Sequence, residues 1–261
     1  SSLENDSYLF FTDPHLLGSN GEIDNKTFKE YIYAIKQYYD TLPFDFICCG
    51  GDWLNMGDTP LQAKYKLGYM NGIVYSNFEN YYPIIGNHDT NFGGTEVSGE
   101  KELENQTISN LMCRKHGKNY YSFDTLNTKY YVLDSYTDYE PAMSDYKWTQ
   151  LKWLCEQLII NDSKHSVIMF HIFFLNETTR NTFTDVIGKI ITAYNNRSSF
   201  TTYDAPSETF NFSACSGRIE YCLCGHSHKD FVEQLGGVPA IGTINLQAKG
   251  VPNFDMLFVD Y

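Results

Sequence analysis

The 261-residue sequence predicts an α/β fold in which two mixed β-sheets pack face to face as a β-sandwich, flanked by α-helices. Two observations predict it. Short apolar runs alternate with helical stretches through the first half, whereas in the last third apolar runs follow one another with only turns between them. No internal repeat or low-complexity linker interrupts the chain, so residues 1–261 are expected to form a single domain.

The elements follow in order. Tyr8–Thr12 reads as a buried strand ending in Asp13-Pro-His15, and a helical stretch covers Lys26 to Asp40 before Pro43 interrupts. Asp45–Cys49 is a second apolar strand delivering Gly50-Gly-Asp-Trp53 into a loop. Thr59 and Pro60 form an N-cap and first-turn pair for a helix reaching about Phe78. Tyr81–Ile85 runs into Gly86-Asn-His-Asp89, and a shorter helix ends near Leu111 after a flexible loop over 93–99. Tyr120–Asp124 and Lys129–Asp134 suggest a hairpin. From Ser144 to Ile160 the apolar positions keep helical spacing behind a serine cap, and His165–His171 is a buried strand. Phe183, Val186, Ile187, Ile190, Ile191 and Tyr194 form the stripe of another helix, and strands are expected at 219–224, 230–235, 238–243 and 255–260.

Composition narrows the function classes. With 42% hydrophobic and 16% aromatic residues the chain can bury a large core. No apolar run is long enough to span a bilayer and the N-terminus lacks a secretory signal, so a soluble protein is expected, with the cytoplasm favoured over an extracellular or virion-associated place. A formal charge of −13, with Lys and Arg scattered, argues against a grip on duplex nucleic acid. Seven cysteines show no metal-knuckle spacing and read as buried thiols, with Cys222 and Cys224 on one face of a strand. Asn-x-Ser/Thr triplets at Asn5, Asn25, Asn105, Asn161, Asn176, Asn196 and Asn211 would permit glycosylation, but an Asn-rich prokaryotic or viral chain carries them without consequence, and that reading is preferred. A start at Ser-Ser points to a processed or excised piece.

The chemistry sits at strand ends. Five apolar strands finish, within a residue or two, in Asp13-Pro-His15, Asp52, Asn87-His88-Asp89, His171 and His226-Ser-His228. Each alone has a plain explanation in turn chemistry or a satisfied core histidine. Together, at the ends where α/β folds gather ligands, they describe one converging site. His165 begins its strand and is placed at the opposite end, and His116 reads as a solvated loop residue.

The motifs Asp13-x-His15, Gly51-Asp52, Gly86-Asn87-His88-Asp89, His171 and Gly225-His226-x-His228, in this order, resemble the calcineurin-like metallophosphoesterase superfamily, and the resemblance runs from residue 8 to about 260. It implies a metallophosphatase-like fold and two divalent transition-metal ions. One ion would be held by Asp13, His15, Asp52 and His228, the other by Asp52, Asn87, His171 and His226, with Asp52 bridging. Two cations about 3.5–4 Å apart need such a shared carboxylate and a bridging hydroxide between them. Mixed histidine, carboxylate and amide donors suit Mn²⁺, Fe²⁺ or Zn²⁺ better than Ca²⁺. His88 would face the substrate as proton donor or charge stabiliser. Asp89 would either orient His88 or cap its loop.

Two departures bear on activity. Phosphoprotein phosphatases of the superfamily carry Gly-Asp-x-x-Asp-Arg in the second motif. Here Gly51-Asp-Trp-Leu-Asn55-Met56 removes the phosphate-gripping arginine and replaces the histidine-orienting Asp by Asn55, whose amide can still orient an imidazole. No tyrosine marks the purple acid phosphatase branch, and Phe173 stands where a proline commonly follows the fourth-motif histidine. The resemblance therefore implies hydrolysis of a phosphodiester or phosphomonoester, small or polymeric, by a metal-bridging hydroxide. The alternatives are a single-strand nuclease of the same superfamily and a non-catalytic binding module of a viral or cell-surface assembly.

Overall fold

In the computed structural model, which describes residues 6–15, 25–55, 57–100, 102–135, 143–161, 165–174, 182–243 and 255–258, the apolar runs become strands and the periodic stretches helices. The Asn176 triplet, parts of the Asn5 and Asn161 triplets and the end of the strand expected over 255–260 lie outside these residues. The first sheet contains β1 (Ser7–Phe11), β2 (Phe46–Cys49), β3 (Tyr81–Pro83) and β12 (Asp255–Phe258), in the order β12-β1-β2-β3. Strands β1, β2 and β3 are parallel and β12 is antiparallel to β1. The second sheet runs β10 (Phe231–Leu235), β11 (Val238–Gly242), β9 (Arg218–Cys224), β6 (His165–Phe170), β5 (Thr128–Val132), β4 (Tyr121–Asp124). Its centre is parallel and its two hairpins are antiparallel, so both sheets are mixed.

Period-two alternation decides which side chain enters which layer. Tyr130, Val132, Val167, Met169, Tyr221 and Leu223 point from the second sheet into a core shared with the first. Their neighbours Tyr131, Ile168, Phe170, Cys222 and Cys224 point outward under the helices. Between the sheets, the ring of Tyr8 meets that of Tyr130 edge-on at 6.1 Å, Phe46 meets Tyr130 at 4.8 Å, and the Tyr8 and Tyr221 hydroxyls lie 2.9 Å apart. The polar ends are thus satisfied inside an apolar layer.

Helices α1 (Asn25–Thr41), α2 (Pro60–Asn77) and α3 (Asn105–Leu111) pack with the first sheet, and α4 (Asp145–Ile160) and α5 (Phe183–Asn195) cover the second. Thr59 caps α2 through a reciprocal capping box with Gln62, and Ser144 caps α4 by accepting from the Lys147 amide. All seven cysteines are free and buried. Among the described residues, no helix is long and apolar enough to cross a membrane.

Two features differ from expectation. A small hairpin of β7 (Ser199–Thr201) and β8 (Thr209–Asn211) adds a third, two-stranded sheet. Its strands are polar apart from Phe200 and Phe210, the pair that faces the α4–α5 core, so no apolar run announced it. His116 is not a solvated residue: its ring stacks on Tyr121 at 3.7 Å and 2°, and burial pulls its pKa down to about 4, with Lys115 adding to the effect.

Candidate metal centre

Because β1, β2, β3, β6 and β9 are parallel within their sheets, each delivers its following residue at the carboxyl end of its sheet. Asp13, His15, Asp52, His226 and His228 all adopt positive φ (52°, 41°, 59°, 70° and 53°), a region costly for residues with a side chain. Hydrogen bonds between loops hold them there. The Asp13 amide donates to the Gly51 carbonyl (2.9 Å) and that of His15 to the Asp52 carbonyl (3.0 Å).

The glycines of the motifs allow the loops to touch. At Gly51 (φ 104°) a Cβ would come 2.7 Å from the Gly86 nitrogen and 2.8 Å from His171 Nδ1, and at Gly86 it would collide with the Asp52 carboxylate. Any side chain at either position drives the second and third motifs apart.

Three groups of donor atoms converge: Asp13, His15 and His228; Asp52, His171 and His226; and His15, Asp52 and His88. In the first, His228 Nε2 lies 3.0 Å from Asp13 Oδ1 and 3.1 Å from His15 Nε2, and His15 Nε2 is 3.8 Å from Asp52 Oδ2. In the second, His171 Nε2 is 3.1 Å from Asp52 Oδ2 and 3.2 Å from Asn87 Oδ1, with His226 Nδ1 2.9 Å from the same amide oxygen. Donors bonded at ~2.0–2.2 Å to one transition-metal ion stand about 3.0–3.5 Å from each other. The spacing fits.

Proton positions sharpen the case. His15 Nδ1 donates to the Leu54 carbonyl (3.0 Å) and His171 Nδ1 to the Gly50 carbonyl (2.7 Å). In the neutral imidazoles, both Nε2 atoms then present lone pairs to the centre. Asp13 Oδ2 accepts from Thr12 Oγ1 (2.6 Å) and the His226 amide (3.0 Å), whereas its Oδ1 is buried facing the imidazole nitrogens His228 Nε2 (3.0 Å) and His15 Nε2 (3.7 Å), with no hydrogen-bond partner assigned among the described residues. Lone pairs facing lone pairs in a buried site, with an orphaned carboxylate oxygen among them, call for cations. The two carboxylates draw positive charge into the site in any case. Burial opposes charge on His171, yet Asp52 and Asp13 push its pKa up to about 10, so a proton on its ring supplies that charge until a cation displaces it. Burial likewise opposes charge on Asp13, but His171, His15 and His228 hold its carboxyl well below the usual range.

The remaining catalytic candidates are placed as follows. His88 opens a 3-10 turn (His88–Thr90); its amide donates to Asp52 Oδ1 (2.8 Å) and its Nε2 is 3.9 Å from Asp52 Oδ2. Asp89 is buried with both oxygens turned to the backbone, accepting from the amides of Asp52 (3.0 Å), Gly86 (2.8 Å), Trp53 (2.7 Å) and Leu54 (3.3 Å). Burial and the Asp52 charge push its pKa up to about 7 against those donors. These four bonds tie the Asp52 and Gly86 loops together. His88 Nδ1 has no hydrogen-bond partner among the described residues, so neither Asp89 nor Asn55 holds that nitrogen. Sequence reasoning missed Thr12 and the carbonyls of Gly50 and Leu54. Thr12 was visible only as the end of a strand, and backbone acceptors leave no mark in residue identity.

The sequence also matches the family model described as calcineurin-like phosphoesterase, over residues 7–230. The chain belongs to this family. No curated protein sequence matches this calcineurin-like phosphoesterase. Among solved structures it resembles a dimetal phosphatase from Danio rerio, with a TM-score of 0.57 and 10% identity over 92% of this chain and 87% of that one. The phosphopantetheinyl hydrolase from Mycobacterium tuberculosis matches with a TM-score of 0.52 and 12% identity over 98% and 97%. A putative 5′-nucleotidase from Staphylococcus aureus matches with a TM-score of 0.51 and 10% identity over 97% of this chain and 53% of that one. At these identities the likeness is one of fold.

Proposed function

We propose that this calcineurin-like phosphoesterase hydrolyses a phosphomonoester or phosphodiester at a dinuclear centre, and that residues 1–261 act as one domain. The carrying observation is Asp52 Oδ2, which faces His171 Nε2 at 3.1 Å on one side and His15 Nε2 at 3.8 Å on the other. Asp13, His15, Asp52 and His228 would hold one ion, and Asp52, Asn87, His171 and His226 the second, drawn from Mn, Fe or Zn. When bound, the ions supply charge neutralisation for the phosphoryl oxygens and acidify a water.

The side chains then have distinct work. The hydrogen bonds to Gly50 and Leu54 keep His171 and His15 in the tautomer that offers Nε2 inward. His88, with 14% of its side chain exposed, reaches the open side, where it would donate a proton to the leaving oxygen as the P–O bond breaks. Asp89 keeps the Gly86 and Asp52 loops joined beneath it. The test is hydrolysis of chromogenic phosphate mono- and diesters with added Mn²⁺, followed by a panel of nucleotide monoesters, cyclic nucleotides and glycerophosphodiesters. Activity is expected in the wild type, lost on every ester in Asp52→Asn, and lost in His88→Ala on the esters with poor leaving groups; retention in both variants on those esters refutes the site.

A further inference from the structure

If His88 transfers a proton, something must set its position, and its Nδ1 has no hydrogen-bond partner among the described residues. Besides an edge-on contact with the His15 ring at 4.7 Å, the ring is placed through its backbone. The 3-10 turn that carries it closes with the Asn91 amide donating to the His88 carbonyl (2.9 Å), and Asn91 is buried at φ 62°. Asn91 Nδ2 donates to the Asp58 carbonyl (3.1 Å), which also accepts from the Thr95 amide (2.8 Å). Thr95 Oγ1 adds a bond to the Gly57 carbonyl (2.8 Å), so the loops after β2 and β3 are joined side by side.

The Asp58 carboxylate faces the other way, toward α2. Lys66 Nζ donates to both its oxygens, at 2.6 and 2.7 Å, with the two side chains only 13% and 12% exposed. Flanking Lys66, Ala63, Leu67 and Met70 bury their side chains in the core, so the ammonium is mounted on a rigid helix. A pair drawn so far out of water adds little net stability, because desolvation offsets attraction. Its clear consequence is geometric.

We infer that Lys66 and Asp58 form a part-buried strut which, through Asn91, positions His88 over the proposed metal centre, making Lys66 a positioning residue for the reaction. The inference rests on the function proposed above. It explains how the turn is held in a chain whose second motif has Asn55-Met56 in place of the Asp-Arg pair.

The test compares wild type, Lys66→Met, Lys66→Arg, Asn91→Ala and His88→Ala on two phosphate esters with Mn²⁺, one releasing 4-nitrophenol and one a simple alkanol. A poor leaving group needs the proton and a good one does not. Lys66→Met should lower kcat on the alkyl ester roughly tenfold or more and on the aryl ester less than about threefold, with KM little changed and Lys66→Arg restoring most of the loss. In the metal-free protein, hydrogen-exchange protection of the Asn91 and Thr95 amides should fall at least about tenfold while β9 keeps its own. Asn91→Ala should reproduce the pattern and serves as the test should Lys66→Met not fold. Equal losses on both esters, or no loss on either with protection at Asn91 intact, overturn the strut. A wild type that takes up no metal and cleaves neither ester overturns the functional reading and the inference with it. If His88→Ala shows the leaving-group contrast and Lys66→Met does not, the inference alone falls.

Discussion

Asp52 sits buried in the left-handed region, with one carboxylate oxygen held by the His88 amide and the other turned toward the imidazoles of His15, His88 and His171. Its amide is pinned by Asp89, so the carboxylate cannot follow an ion that binds elsewhere. Replacing it by asparagine removes one negative charge from both halves of the proposed centre, and metal affinity should fall about a hundredfold or more by calorimetric titration. His88→Ala should leave metal uptake intact and lower kcat on an alkyl phosphate ester by roughly 10²–10⁴. His116 belongs to a different account. Its pKa near 4 in the fold lies below the ordinary 6.5, so the unfolded chain binds more protons between those values. Stability should therefore drop as pH falls from about 6.5 to 4, by about 1 kcal/mol after discounting for partial exposure. Urea unfolding of His116→Phe across that window should show a shallower slope than wild type.

At the scale of elements, the legible parts were those in which local chemistry and tertiary role coincide. Thr59-Pro60 announced α2 and Ser144 announced α4, because a cap acts within its own turn. Thr59→Ala should lower stability by about 1 kcal/mol, measured by thermal melting. The hairpin β7–β8 was not legible, since only Phe200 and Phe210 carry its burial. The loops between strands and helices were legible as the places where the candidate residues gather, but not in their joinery. That Asp89 accepts four backbone amides, and that Gly86 must lack a Cβ because Asp52 occupies the space, depends on how separate loops meet. Gly86→Ala should cost about 1–3 kcal/mol and weaken metal binding together, whereas an alanine at Gly72, whose added Cβ meets nothing within 4 Å, should do neither.

For the whole molecule, parallel strands explain why residues spread over more than two hundred positions could be assembled from sequence: every motif follows a strand, and parallel strands share an end. The layer order was legible from the order of elements, early strands alternating with helices and late strands following one another; which side chains of β5, β6 and β9 enter which core was not, because these strands are buried on both faces. The positions of protons in the centre were not legible, being set by the carbonyls of Gly50 and Leu54. With a formal charge of −13, the chain approaches an anionic phosphate ester favourably only where cations reverse the local field. The most direct test is calorimetric titration of metal-free wild type and Asp52→Asn with Mn²⁺ or Zn²⁺. Two equivalents bound by the wild type, with both sites weakened in the variant, is the predicted result; hydrolysis that persists with no ion bound, or two sites indifferent to Asp52, would contradict it.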